Sequence, residues 1–220
     1  MKVSTFIVDK RILERDDIYI SSYNKAPKWR KKKIDASFKI EAKMSLLAAS
    51  AAFTFGMSKL NLKADAEKIT LGEYGKPSFE ESEGIYFNIS HSKDFAICTF
   101  GNKNLGCDIE YIDEKRISTE LIDRVLTESE KKYLDSIDKN KMIEEFFRIW
   151  TYKESYLKYK GVGIKGLDKS VSIDLINNNI EENGKIRDDI YFKEYDLKGY
   201  KITICSDSND FEEDLIRPEL

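Results

Sequence analysis

Apolar residues along this chain follow two rhythms, one suited to strands and one to helices. Short runs rich in β-branched and aromatic residues at positions 3–8, 85–89, 95–100 and 105–109 predict strands. Further strands are predicted at 171–176, 190–195 and 201–205. Helical spacing governs the stretch from about 35 to 59, where Phe38, Ala42, Ser45/Leu46, Ala49 and Phe53 share a face. Helices are also predicted at 118–126, 129–137 and most strongly 142–160, the last stopped by Gly161 and Gly163. Residues 72–78 read as a loop, and Gly101-Asn102-Lys103-Asn104 as a hairpin turn between the strands on either side.

The order strand, long helix, strands is thus followed by helices, a long helix and strands. That predicts an α+β chain of two similar lobes, residues 1–104 and 105–220, with a seam near 101–112 and a ligand site between them.

Composition narrows the class. The 220 residues are 41% hydrophobic and 35% charged, and only three are proline, so the chain is globular throughout. No apolar run is long enough for a membrane span, and Asp9 interrupts the opening one too early for a signal peptide. Cys98, Cys107 and Cys205 lack metal-ligand spacing and read as small core residues in a reducing, cytoplasmic setting. A net charge of −3 argues against nucleic acid as the main partner. Positive charge is nevertheless concentrated at Lys25, Lys28, Arg30, Lys31, Lys32 and Lys33.

Two segments carry candidate chemistry. On a strand through Leu105-Gly106-Cys107-Asp108-Ile109-Glu110, alternation puts Gly106, Asp108 and Glu110 on one face. Paired carboxylates suit a hard cation such as Mg²⁺, although an ordinary solvated strand face has the same pattern. On the helix through Trp150, Glu154 falls four after Trp150 and three before Leu157, on the stripe of Ile143, Phe146 and Phe147. A carboxylate there needs a cation, a proton or a partner, and Lys158 one turn on could be simply an i,i+4 ion-pair partner.

Taken in order, Gly75-Lys76-Pro77, Asn88-Ile89-Ser90-His91-Ser92, Gly106 to Glu110, and Trp150-Thr151-Tyr152-Lys153-Glu154-Ser155-Tyr156-Leu157-Lys158 resemble the motifs of the Sfp-type phosphopantetheinyl transferases. The resemblance covers roughly residues 1–205. It implies a monomer of two α/β lobes related by a pseudo-twofold, with coenzyme A between them. It further implies transfer of the 4′-phosphopantetheine group to a serine of an acyl or peptidyl carrier protein, releasing 3′,5′-ADP.

By position, Asp108, Glu110 and Glu154 would hold Mg²⁺, and Glu154 would also take the serine proton. Lys158 would contact the pyrophosphate, Ser90 and His91 a coenzyme A phosphate, and Lys76 with Pro77 the adenine end. Lys28, Arg30, Lys31 and Lys32 would face the 3′-phosphate. Met44 stands where the family commonly has arginine, leaving Lys43 or Ser45 to serve. A mixed face of Lys115, Arg116 and Arg124 beside Ile117, Leu121 and Val125 could receive an acidic carrier. The alternatives are a Mg²⁺-dependent hydrolase of a pyrophosphate-containing small molecule, and a nucleic-acid module built on the basic run and Trp29.

Overall fold

Two three-stranded antiparallel sheets, each carrying one long helix on its outer face, form the body of the computed structural model, which describes residues 1–80, 83–163 and 169–218. The first sheet has the order β1-β5-β4, from Ser4–Asp9 (β1), Tyr86–Ser92 (β4) and Phe95–Gly101 (β5). Its helix is α3, Ile40–Lys59, preceded by α1 (Asp16–Lys25) and α2 (Lys28–Asp35). Ala48, Ala49 and Ala52 on α3 let the helix approach Phe6, Phe87 and Phe100 closely. Gly56 completes that contact: a Cβ there would lie 2.4 Å from the Phe100 ring.

The second sheet has the order β10-β11-β6, from Leu105–Tyr111 (β6), Tyr191–Leu197 (β10) and Tyr200–Ser206 (β11). Its helix is α6, Lys139–Lys160, which follows α4 (Thr119–Val125) and α5 (Glu128–Ser136). A small sheet of β7 (Val171–Asp174), β8 (Asn179–Glu182) and β9 (Lys185–Ile186) adds Val171, Ile173 and Ile180 to the core around α6. Enclosed on so many sides, α6 buries Phe146, Phe147, Ile149 and nearly all of 151–157 rather than a single stripe.

The inward faces of the two sheets meet in a third core. Val3, Ile7 and Ile97 of the first pack on Leu105, Cys107, Ile109, Ile202 and Ile204 of the second. Cys98, Cys107 and Cys205 are all free and buried, as small core residues should be.

Along the line where β4 passes β6, alternate polar side chains of β4 fasten the sheets. The Cys107 N–H donates to Asn88 Oδ1 at 3.0 Å and the Tyr111 N–H to Ser92 Oγ at 3.0 Å. Residues 210–216 return to the free edge of β1, where Val3 pairs with Phe211 and Phe6 with Ile216. An exposed row of backbone groups is thereby covered. Among the described residues no helix is long and apolar enough to cross a membrane.

The α+β pattern and the main elements match the expectation, with five differences. The 35–59 stretch is a helix only from Ile40, because the chain turns at 36–39 after α2. Pro27, with its fixed backbone angle, starts α2 and so makes a helix of the basic run. α1 buries no residue fully and lays only Ile18, Tyr19 and Tyr23, half-buried, on the first core, too short a stripe to stand out in the sequence. The turn at Gly101–Asn104 joins no hairpin: both edges of β5 are taken by β1 and β4, so the chain crosses there to the other sheet. The true hairpin is β4–β5, turning at Lys93 with φ 48°. Finally, part of the 72–78 loop is itself a hairpin, of β2 (Thr70–Leu71) with β3 (Pro77–Ser78).

One charged pair is fully buried. Lys153 of α6 lies 2.7 Å from Glu130 of α5, with each side chain 1% exposed. The Lys153 ammonium also donates to the Val125 carbonyl at 2.8 Å. Glu130 accepts the Ile173 N–H at 2.8 Å and the Thr127 N–H at 2.7 Å, the latter as one half of a capping box. Lys153→Met leaves that carboxylate buried without its cation, so a loss of about 3–5 kcal/mol in unfolding free energy is expected by urea denaturation. The double variant Lys153→Met/Glu130→Gln should lose less than the two single losses added. Simple additivity would show that the pair is not coupled.

Candidate active site

A single glycine decides how close the two chemically active elements come. An added Cβ at Gly106 would lie 2.1 Å from the Ser155 carbonyl oxygen and 2.3 Å from the Tyr159 nitrogen. The turn of α6 at 155–159 therefore rests directly on the backbone of β6. The face of β6 that carries Asp108 meets the turn of α6 that carries Lys158. Gly106, on the same face of β6 as Asp108 and Glu110, is thus covered by helix backbone.

Lys158 donates to Asp108 Oδ1 at 2.7 Å, to Ser90 Oγ at 2.8 Å and to the Cys107 carbonyl at 3.1 Å. Ser90 Oγ in turn donates to the same Asp108 oxygen at 2.8 Å. Burial pulls the Lys158 pKa down, but the charge of Asp108 and its hydrogen bond, together with Cys107 and Glu154, outweigh it and leave the amine pKa raised. Asp108 is also raised, first by burial and then by the charge of Glu110, with Lys158 opposing. Its second oxygen, Oδ2, is buried without a hydrogen-bond partner among the described residues.

Glu154 behaves differently. Among the described residues its carboxylate has no hydrogen bond or ion pair, and it lines a cleft of about 260 Å³. Burial, followed by the charge of Asp108, lifts its pKa to about 7, against the pull of Lys158. Glu110 completes the acidic group at the open end of β6. Its Oε2 accepts from Ser92 Oγ at 2.9 Å and from Arg116 Nη1 at 2.6 Å. Asp108, Glu110 and Glu154 thus feel one another, yet two of them are turned toward cations of the chain itself. Among the described residues no three acidic, thiol or imidazole groups converge tightly enough to hold a metal ion as they stand.

Tyr74, Gly75, Lys76 and Pro77 line the cleft together with Asn88, Ile89, Gly161 and Gly163, beside Glu154 and Lys158. Gly161, at φ 71°, closes α6 in the left-handed conformation, and a Cβ on Gly163 would stand 3.3 Å from Tyr74 Cβ. Lys76 does not point freely into this space. Its ammonium donates to Asn104 Oδ1 at 3.0 Å, to the Leu105 carbonyl at 2.9 Å and to the Tyr159 carbonyl at 3.0 Å. Burial lowers its pKa to about 8. Its side chain ties the 72–76 turn to the crossover at 104–105 and to the end of α6, and Pro77 remains on the cleft wall.

The basic run divides. Arg30 is 5% exposed and its guanidinium donates to Ser50 Oγ at 2.9 Å and to the Leu46 carbonyl at 2.7 Å. It pins α2 on α3 rather than standing among the exposed charges, and burial lowers its pKa to about 10. Lys31 donates to the Asn24 carbonyl at 3.0 Å, while Lys28 and Lys32 are exposed. The Ser45 hydroxyl donates within its helix to the Glu41 carbonyl, and Met44 packs on the first core. His91 lies at the exposed edge of β4, its pKa lowered first by partial burial and then by the charge of Lys158. On the face expected to receive a carrier, Ile117, Leu121 and Val125 pack on the core around α6, leaving the charges of Lys115 and Arg124 outside.

Sequence reasoning gave no role to Lys153, Glu130, Asn104 or Ser92. A signal existed for the first two. Lys153 lies three after Trp150 and four before Leu157, and Thr127-x-x-Glu130 has the spacing of a capping box. Nothing local marks Asn104 or Ser92, whose partners are distant in sequence.

A buried carboxylate–lysine pair beside a second carboxylate open to a cleft, with shifted pKa values, is the kind of arrangement found at enzyme active sites. The family model of the 4′-phosphopantetheinyl transferase superfamily matches residues 104–205, the stretch that runs from the crossover through β6 and α6 to β11. The chain is 32% identical over 151 residues to the 4′-phosphopantetheinyl transferase Sfp of Bacillus subtilis (strain 168), a match covering 65% of this chain and 64% of that protein. It is 31% identical to the 4′-phosphopantetheinyl transferase ffp of Bacillus subtilis, over 70% of this chain and 68% of that protein. With the 4′-phosphopantetheinyl transferase gsp of Aneurinibacillus migulanus the identity is 33%, over 76% and 69%. The matched regions thus span about two thirds of these relatives. The chain belongs to the Sfp-type 4′-phosphopantetheinyl transferases, and the hydrolase alternative gains no support from these relatives.

Gly106→Ala tests the seating of α6. The new methyl meets backbone atoms that only a shift of the helix can relieve, so a loss of about 1–3 kcal/mol in stability is expected by thermal or urea unfolding. A variant as stable as the parent would show that α6 does not rest on β6 at this point.

Proposed function

We propose that the protein transfers the 4′-phosphopantetheine group of coenzyme A to a serine hydroxyl of an acyl or peptidyl carrier protein, in a Mg²⁺-dependent reaction that releases 3′,5′-ADP. The observation that carries this reading is that Glu154 and Lys158 line one cleft, with Lys158 bonded to the buried Asp108, all within the segment that the family model matches. In this reading coenzyme A lies between two lobes, residues 1–104 and 105–220, related by a pseudo-twofold. The three buried free cysteines fit a reducing, cytoplasmic setting for a monomeric enzyme.

The donor set suits Mg²⁺. The partnerless Asp108 Oδ2, the unpaired Glu154 and the neighbouring Glu110 are hard oxygen donors whose mutual repulsion a divalent cation would relieve. Those three residues would hold the ion, which when bound neutralises negative charge on the pyrophosphate.

The remaining work falls to the chain's own groups. Lys158 presents its ammonium to the pyrophosphate, with Ser90 and Asp108 fixing its direction. His91 and Ser90 contact a phosphate of coenzyme A. Lys28, Lys31 and Lys32 supply positive charge toward the 3′-phosphate, with Ser45 nearby in place of an arginine at Met44, and the Lys76–Pro77 turn forms the adenine wall. Glu154 accepts the proton of the carrier serine. The serine oxygen forms its bond to the phosphorus bearing pantetheine, the bond from that phosphorus to the bridging oxygen breaks, and 3′,5′-ADP departs with the electron pair. Positioning and charge neutralisation carry such a transfer, with little covalent help needed.

Incubation with coenzyme A, Mg²⁺ and an apo-carrier should add one phosphopantetheine group to the carrier, read by intact-protein mass spectrometry. Cleavage of coenzyme A without that adduct overturns the reading. Asp108→Asn and Glu154→Gln should each slow transfer by roughly a hundredfold or more, with circular dichroism unchanged. Full activity in either variant removes that residue from the site.

A further inference from the structure

Glu110 is the only one of the three site carboxylates met by a cation from outside the motifs themselves. Arg116 lies in the short 3₁₀ turn Glu114–Arg116 that leads from β6 toward α4, and its Nη1 stands 2.6 Å from Glu110 Oε2. Ser92 Oγ donates to the same oxygen at 2.9 Å. The guanidinium has one further neighbour, the ring of Phe147, whose centroid lies 5.6 Å from Arg116 Cζ. The Arg116 side chain is 42% exposed, whereas Glu110 is 16% exposed. The carboxylate is thus held by strand and serine, while the arginine is the more exposed of the two partners.

The charges explain the arrangement. Asp108 is neutralised through Oδ1 by Lys158, Glu110 through Oε2 by Arg116, and Glu154 by neither contact. Lys158 has three hydrogen-bond ties beside the cleft, so it is built in. Arg116 is hydrogen-bonded to one carboxylate, Glu110, with the charges of Asp113 and Asp108 also within its field, and sits on the turn that follows β6. A divalent cation approaching Glu110 meets the positive charge of Arg116 already bonded to Oε2.

Resting on the metal reading above, we propose that Arg116 is a resident counter-ion of Glu110, which holds that carboxylate while the site lacks a divalent cation and competes with the cation for it. The arginine thereby prevents three neighbouring carboxylates from repelling one another in the empty site, at the expense of metal affinity. On this reading a positioning residue outside the four motifs sets how tightly the enzyme holds its ion.

The test uses Mn²⁺ as the probe, titrated calorimetrically into the whole protein without coenzyme A or carrier. Arg116→Gln should tighten Mn²⁺ binding about fivefold, the equivalent of roughly 1 kcal/mol for a partly exposed pair. Lys115→Gln, which removes an adjacent charge with no bond to Glu110, should leave binding unchanged. Equal tightening by both variants, an unchanged or weaker Arg116→Gln, or no binding in either parent or variant overturns the proposal. Asp108→Asn separates the two readings. If it leaves Mn²⁺ binding intact, the metal site itself is misassigned. If it abolishes binding while Arg116→Gln has no effect, only the role of Arg116 falls.

Discussion

The close approach of α6 to β6 over Gly106 is the constraint on which the site depends. Two elements that would otherwise be separated by a layer of side chains touch backbone to backbone. The carboxylate of the strand and the lysine of the helix then share a hydrogen bond of 2.7 Å. Any larger residue at 106 would put distance between them, and with it would go the field that raises Lys158 and lifts Glu154. Because the helix axis is set by backbone contact and not by an interdigitating pair of side chains, the geometry has little room to relax.

A second layer of interactions keeps that contact aligned. On one side the Asn88 and Ser92 side chains satisfy backbone N–H groups of β6, substituting for a strand partner along an edge that no ladder covers. On the other side the Lys153–Glu130 pair clamps α6 to α5 and, through the Ile173 N–H, to β7. Lys153 and Glu154 are neighbours in sequence with opposite environments. One is locked in a fully partnered ion pair and the other faces a cleft with its charge unmatched. Successive helix positions point about 100° apart, so a single turn can serve both structure and chemistry.

Much of this was legible in the sequence. The long helices, the principal strands and the acidic residues of β6 follow from local periodicity, and the motif spacing pointed to the family before any geometry was known. What periodicity could not show was pairing. β5 and β6 read as a hairpin because the turn between them has suitable residues, but strand edges are claimed by whichever partner buries more, and β1 and β4 claim both edges of β5. Burial of polar groups was equally hidden. Arg30 lies in a run of lysines and reads as one more surface charge, yet the Leu46 carbonyl and Ser50 hydroxyl of α3 draw it inside. Lys76 reads as a ligand contact and proves to satisfy three oxygens at the junction of the sheets.

The strip of chain at 210–216 lying on the edge of β1 bears on how the molecule assembles. Val3 and Phe211 are neighbours in space though they are almost the whole length of the chain apart. β1 also pairs with β5 and carries Phe6 and Val8 into the first core, so that core is sealed along one side by residues far downstream. Closing so long a loop costs entropy that the pairing itself must offset. Until it forms, the first sheet has an open edge and a partly uncovered core. A chain without residues 210–216 in place would therefore expose the kind of unpaired strand that aggregation exploits.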